Sequence, residues 1–511
     1  MVAWEPITQG GLLMIHVYPT AVEVFDSAFD RFKCIVSELS GEKAGRMEHG
    51  QIEALLFSEG TELLRLLLQG YLDLLSIREP RRRDVINPDG VALTHCRLNC
   101  ERHLMTIFGE VTVRRKGYSF RGVQSVFPLD GQLNLAKDGY SHGLGRRAAD
   151  EAASNSFDEA VVNIGKTTGG KVPKRQLEEI TVVAAQDFDA FYSGGMADEP
   201  RQTSDILVMT VDQKGIVMQK QDLRPATRKA AEEAARRPGA RLNPGEKINR
   251  KRMASVAAVY DTKAYERSPE TIMGLCSDED KSTCPRATNK RVWASVEREQ
   301  EDVIQDMFQE AMRRDPQKMR PWAILVDGGE KQLDIILGFI RQYRPDVSLI
   351  LDFIHVLEYL WKAARGFHAI GSIEAEKWVA ERALNILRGQ AATVAIGLRQ
   401  SATLHQLSSD KRKAVDKCAD YLEKYGPMLQ YNEHLSQGVP IATGVIEGAC
   451  RHLIKDRMDR TGARWRLKRA EAVLRIRSLR SSGDFEAYWK FHRAREHRRN
   501  HCSADAVTQV A

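Results

Sequence analysis

Ala323 to Asp352, AILVDGGEKQLDIILGFIRQYRPDVSLILD, is the stretch on which the fold turns. Ala323 to Val326 and Val347 to Leu351 are apolar runs of buried-strand length. Between them, Lys331 to Arg344 carries Leu333, Ile336, Leu337 and Ile340 at the spacing of a helix laid on a sheet. Strand, helix and strand in that order imply parallel strands, and in open α/β sheets chemistry collects at the carboxyl ends of strands. Asp327 stands at one such end and Asp352 at the next. An acid beside Gly328 and Gly329 also reads as a plain turn, so its meaning depends on the rest of the chain.

Upstream, Ile206 to Val211 is apolar and ends at Asp212, with Gln213, Lys214 and Gly215 expected as a turn into Ile216 to Met218, a hairpin. Met253 to Tyr260 is a further strand, and Val292 to Met312 a helix leading into the Asp327 strand. Counted out, the order is three strands, a helix, a strand, a helix and a strand. That is the order of a ribonuclease H-like core: an α/β fold with a mixed five-stranded sheet. Phe353 to Tyr431 is expected as a helical insertion, and Glu447 then falls on an amphipathic helical segment with Val445, Ala449, Leu453 and Ile454.

Two strand-end aspartates and a helix-borne glutamate are what a two-metal phosphodiester site needs. Hard divalent cations take carboxylate oxygens. Two of them about 3.5–4 Å apart activate an attacking oxygen and stabilise a leaving one. Over a hundred residues separate each acid from the next, so only folding brings them together.

The 511 residues suffice for two to four domains. With 42% hydrophobic and 28% charged residues the chain reads as globular, and no apolar run reaches transmembrane length. The first twenty residues lack a basic region before their apolar patch, so a cytoplasmic location is expected. The eight cysteines are too scattered for a disulfide scaffold. Cys96 and Cys100, with His95 and His103, are the one candidate zinc cluster, though no second pair follows.

A net charge of +7 conceals local concentration. One basic set runs from Arg224 to Arg252 and includes Arg236, Arg237, Arg241, Lys247, Arg250 and Lys251; another runs from Lys455 to Arg499. Clusters of this kind are the footprint of a polyanion, although a solvated helix face has the same composition. Phe157 to Thr168 and Lys174 to Phe191 have the size of a helix-turn-helix, with Lys171, Lys174 and Arg175 opening a candidate recognition helix; generic helix packing is the competing reading. Phe25 to Ser76 is expected as a helical hairpin whose leucine surplus is core rather than a dimer seam. His103 to Tyr118 is expected as a small β unit.

The expected organisation is an N-terminal helical arm (1–84), a small β and loop unit (85–146), a helical stretch with the candidate DNA-binding motif (147–200), the first part of the catalytic core (204–352), the helical insertion (353–440), a core C-terminal helix with Glu447 (441–480) and a basic tail (481–511).

Several segments resemble bacterial insertion-sequence transposases of the DDE type, closest to the ISKra-four family and more loosely to Mutator-like transposases. The residues that carry the likeness are Thr210-Val211-Asp212, Val326 to Gly329, Leu351 to His355 and Gly444 to Gly448, with Ile107 to Val111, Phe127 to Asp130 and the Trp465 region in support. The resemblance spans about residues 95 to 490. It implies an enzyme that cuts and rejoins DNA at the terminal inverted repeats of its own element, with two Mg²⁺ ions for which Mn²⁺ substitutes, and with Asp212, Asp327 and Glu447 as ligands. It implies DNA as partner, both terminal repeats and target, and a homo-oligomer of at least two copies on paired ends. Asp352 and His355 form a D-x-x-H motif, with Asp352 the alternative second acid and His355 either a DNA or water contact or a packed helix-start histidine. Relatives often carry cysteine pairs near the Phe127 loop; Tyr118 to Val126 has none.

In that reading Arg250, Lys251, Arg252, Lys455, Arg457, Arg460, Arg464 and Lys468 meet backbone phosphates and make binding steeply salt-dependent. Exchange of phosphodiesters needs no ATP, and the chain holds no GxxxxGK[ST] loop, so no nucleotide cofactor is expected. Two rivals stand beside it: a ribonuclease H-like nuclease or resolvase that cleaves without joining, and a catalytically inactive DNA-binding regulator.

Overall fold

The computed structural model describes residues 23–194, 203, 205–235, 250–275, 285–344, 346–460 and 462–501. Two compact units emerge. One takes the chain up to Glu151, then Phe157–Leu177 and the stretch from Lys490; the other takes Ala152–Ser156 and Glu178–Trp489. No helix among the described residues is long and apolar enough to cross a membrane.

In the first unit, α1 (Asp26–Ser40) and α2 (His49–Arg78) form a hairpin. A reciprocal capping box starts α2, Glu48 taking the Gln51 amide and Gln51 taking that of Glu48. One face of α2 lies on a β-hairpin, β1 (His95–Thr106) and β2 (Gly109–Ser119), which pair antiparallel with an irregularity between Arg97 and Cys100. The Gln69 side chain bonds both the N–H and C=O of Thr112 at 2.8 and 2.9 Å, acting as a short extension of the sheet. Leu72 joins Leu104, Val111, Val113, Leu129 and Leu135 in the core below. Asp130, at the start of the Phe127 loop in the sequence, is buried in the short helix Pro128–Gln132 between Arg102 and Arg115 at 3.1 and 2.6 Å.

The second unit is built on a five-stranded sheet of order β5-β4-β3-β6-β7: β3 Ile206–Val217, β4 Lys251–Thr262, β5 Thr288–Ser295, β6 Trp322–Val326 and β7 Ser348–Leu351. β3, β4 and β5 pair antiparallel, whereas β3, β6 and β7 pair parallel. The expected hairpin inside Ile206–Met218 does not form. Gln213, Lys214 and Gly215 stay in one continuous strand that pairs with β4 along its whole length, because β4 offers a partner to every residue as far as Val217. Val292 likewise belongs to β5, and the following helix is Gln300–Arg314.

The outer edge of β5 would leave backbone N–H groups unpaired, a liability that proteins cover. Here the helix Leu467–Ser482 covers it with side chains. Ser482 accepts from Val292 N–H, Ser478 from Ala294 N–H, and the buried Glu471 carboxylate from Val296 and Glu297 N–H. The segment 441–480 is therefore not one helix. It runs Gly444–Ala449, a π-helical turn Cys450–Lys455, then a break in which Trp465 bonds Val217 and Gln219 beyond the end of β3, and only then Leu467–Ser482. The expected basic tail contains a further helix, Phe485–His501, with Tyr488 and Trp489 buried. Between β7 and Gly444 lie helices Phe353–Phe367, Ile373–Leu387, Ala391–Leu404, Ser409–Lys424 and Tyr431–Ser436.

Candidate functional site

The parallel ladder fixes the spacing of the acids. Leu207 to Thr210 pair with Trp322 to Leu325, and two steps further in the same register Asp212 falls opposite Asp327. Adjacent strands lie about 4.8 Å apart, so the two aspartates are neighbours across the sheet. Both are half-buried. Asp212 is not at a strand end but inside β3; it stands at an open rim because β6 stops at Val326.

Glu447 is exposed on the helix Gly444–Ala449, which lies against β3 and β4. One turn further on, the Cys450 thiol donates to Asp212 Oδ2 at 3.2 Å. Burial, and then the Asp212 carboxylate, push that thiol above its usual range, so it keeps its proton and remains a donor. The Glu447 segment is thereby tied to the Asp212 strand. The three acids do not form a group whose ligand atoms all lie within 4.8 Å of one another. A pair of ions about 3.5–4 Å apart does not require that, since ligands on opposite sides of the pair stand further apart.

The register also seats Asp352 beside Asp327, since Val326 pairs with Leu351. The two differ in what their carboxylates do. Asp352 is 1% exposed and caps the helix Phe353–Phe367, Oδ1 accepting from Ile354 N–H at 2.8 Å and Oδ2 from the Thr443 hydroxyl. Asp327 spends only Oδ1, on Gly329 N–H at 3.0 Å. Asp327 thus keeps one carboxylate oxygen at the rim without a hydrogen bond to the described residues, whereas Asp352 is a buried cap. His355 sits half-buried in the first turn after that cap, with no side-chain hydrogen bond to the described residues.

Side chains that sequence reasoning missed brace this rim. Tyr421 donates to Asp327 C=O at 3.1 Å, Tyr425 to Gly328 C=O, and Tyr431 to Leu351 C=O at 2.7 Å. Burial raises the Tyr421 and Tyr431 hydroxyls well above their ordinary values, so both stay protonated donors. The insertion therefore clamps the backbone at two acid-bearing strand ends. The Tyr-x3-Tyr-x5-Tyr spacing is visible in the sequence, but its targets are not. Gly328 has φ +86, and a Cβ there would press on Leu351 and Tyr425 at 3.2 Å, so glycine suits both the turn and the clamp. Gln332 adds a tie from the next helix, donating to Val211 C=O at 2.7 Å.

The basic residues divide. Arg250 and Lys251, with Lys214, are exposed at the end of the β3–β4 ladder beyond Asp212, and Lys455, Arg464 and Lys468 are exposed as well. Arg460 is half-buried. Two expectations fail. Arg457 is 3% exposed, bonds Ala152 C=O at 2.9 Å and stacks on Trp465, so it cannot meet a phosphate. Arg252 spends its guanidinium on the carbonyls of Val296, Asp222 and Glu297. Arg236, Arg237, Arg241 and Lys247 lie outside the described residues.

Helices Phe157–Thr167 and Lys174–Ala184 are present, the first within the first unit and the second begun in it, with Lys171 and Arg175 exposed, while Lys174 pairs with Asp158 at 2.7 Å. The turn between them packs on the β1–β2 loop: Gly169 N–H bonds Ile107 C=O, and a Cβ on Gly169 would come within 2.3 Å of Phe108 C=O. Cys96 and Cys100 are free thiols on β1 and do not gather with His95 and His103 into a metal-binding group.

No protein-family model matches the chain, and no curated protein matches it.

Proposed function

We propose that this protein is a DNA transposase of the DDE type, which binds the terminal inverted repeats of its element and catalyses metal-dependent strand cleavage and strand transfer. The observation that carries the reading is the register that sets Asp212 against Asp327, with the Glu447 segment bonded to Asp212 through Cys450. The strand order, three antiparallel strands followed by two parallel ones, supports a ribonuclease H-like core. Asp212, Asp327 and Glu447 would hold two Mg²⁺ ions, whose chemistry when bound is to lower the pKa of an attacking water and neutralise charge at the scissile phosphate. Hard-cation oxygens are the right donors for it. The chain's own residues hold the acids at fixed spacing, through the sheet, the Cys450 thiol and the tyrosine clamp. Lys214, two residues beyond Asp212, and Lys251 and Arg250, five and six positions beyond Asp212 along the same ladder, would supply positive charge for a phosphate backbone.

The test is Mg²⁺-dependent cleavage and joining of DNA carrying the sequences that flank the gene, with the wild type, Asp327→Asn and Asp352→Asn in parallel. Wild type is expected to cut and join, and to stop when EDTA removes the metal. Asp327→Asn is expected to lose both steps by a factor of at least about 10³ while still binding DNA. Cutting without joining would make the protein a nuclease, binding without cutting a regulator, and loss confined to Asp352→Asn would move the second acid.

A further inference from the structure

The leucine-rich N-terminal hairpin, whose apolar residues the sequence assigns to core, turns much of that surface outward. On α1, Phe29, Phe32, Val36 and Leu39 are 36–54% exposed; on α2, Leu56, Phe57, Leu64, Leu67 and Tyr71 are 41–53% exposed. The spacing is heptad spacing. Phe29, Phe32, Val36 and Leu39 step by three, four and three. Phe57, Gly60, Leu64, Leu67 and Tyr71 step by three, four, three and four. Gly60 fills one slot without a side chain, and a Cβ there would meet nothing.

The two stripes share one side of the hairpin. Arg31 pairs with Glu59 at 2.9 Å and Phe25 rests on Gly70, so α1 and α2 run antiparallel with Ala28, Arg31 and Ile35 on the contact side of α1. At about 100° per residue, each stripe lies turned in the same sense from its own contact side. For antiparallel helices that puts both on the same flank, while Leu68, Leu72 and Leu75 face the core that includes β2.

Nine large apolar side chains exposed to this degree present roughly 700–800 Å². That exceeds the 300–600 Å² of the largest patch on a typical monomer and equals one partner's share of a standard interface, about 800 Å². The stripe positions themselves are uncharged, with Lys33 bordering the α1 stripe and Glu53 the start of the α2 stripe, so a polyanion is a poor occupant. A helix pair with this spacing is self-complementary: two copies related by a two-fold axis close into a four-helix bundle.

We propose that the exposed face of α1 and α2 is a homodimer interface, occupied by the same face of a second copy of this chain. The proposal is independent of the catalytic reading, and its test uses neither DNA nor metal. Sedimentation velocity of the full chain, from sub-micromolar to tens of micromolar, is expected to show a dimer. The double variant Leu64→Glu, Leu67→Glu is expected to sediment as a monomer with unchanged far-ultraviolet circular dichroism. Leu404→Glu, an exposed leucine on the insertion, is expected to leave the dimer intact. The neutral pair Leu64→Gln, Leu67→Gln keeps the test open if the glutamates disturb folding, and is expected to weaken the dimer at least about tenfold. A wild-type monomer across the range, or a dimer unaffected by either pair of substitutions, would overturn the proposal. So would a monomer whose α1–α2 face resists hydrogen exchange, since another part of the same chain would then cover it.

Discussion

The helix Gln300–Arg314 and the helix α2 invite comparison because both carry apolar residues at helical spacing. Gln300–Arg314 buries seven of its fifteen residues, whereas the thirty-residue α2 buries only Gly70 and Leu72. The first lies between the sheet and the helix Glu330–Tyr343, where Phe308 packs on Phe339 and Tyr343; the second keeps an apolar face exposed among the described residues. Periodicity reports which residues share a face. It does not report what stands opposite that face, and here the two outcomes differ by a proposed partner.

That contrast breaks most sharply at Glu310, buried on the sheet-covered helix among Arg291, Arg313 and Arg314. Burial alone would raise its pKa, but the three guanidinium groups outweigh it and hold the carboxyl well below the usual range. Glu310→Ala leaves those cations without their shared partner and is expected to cost about 3 kcal/mol in urea denaturation. The sign of the pH dependence follows. A carboxylate depressed in the folded state contributes fully above the unfolded value near 4.5 and loses that contribution as pH falls toward the depressed one. Wild-type stability should therefore decline below about pH 4.5, and Glu310→Gln should lack that share of the decline.

Ile324→Ala, in a strand with every residue buried, should cost about 2–4 kcal/mol in the same assay. A smaller effect is expected at the clamp. Tyr425→Phe removes one hydroxyl donor to Gly328 C=O, costs about 1 kcal/mol, and should speed amide exchange across 327–329 while leaving the rest of the sheet unchanged. The smallest effect belongs to α2. Leu67→Gln, measured on monomer, should shift stability by no more than about 0.5 kcal/mol. A loss of about 2 kcal/mol there would mean that Leu67 is core and would erase the contrast.

Much of the sheet was legible before folding. The apolar runs at Ile206, Met253, Ala323 and Val347 are strands, because short runs bounded by turn residues or charge have few other uses. Asp327 was legible as a strand-end acid. Asp212 was legible as an acid beside a strand, but the continuation of that strand past it was not, since Gln213-Lys214-Gly215 reads as a turn unless a twelve-residue partner lies alongside. Arg457 and Arg252 read as surface cations, yet a guanidinium counts as surface or interior only once the carbonyls around it are placed.

By itself, then, the sequence determined four of the five strands, most of the helices and the acids that follow β6 and β7, because propensity and periodicity act over a few residues at a time; it missed β5 and the full length of β3. Only the tertiary structure decided which acids are neighbours, which is spent as a helix cap, and which apolar face stays exposed among the described residues. The Asp212–Asp327 pairing depends on register between strands more than a hundred residues apart, the cap and the exposed face on what packs opposite them, and nothing local encodes either.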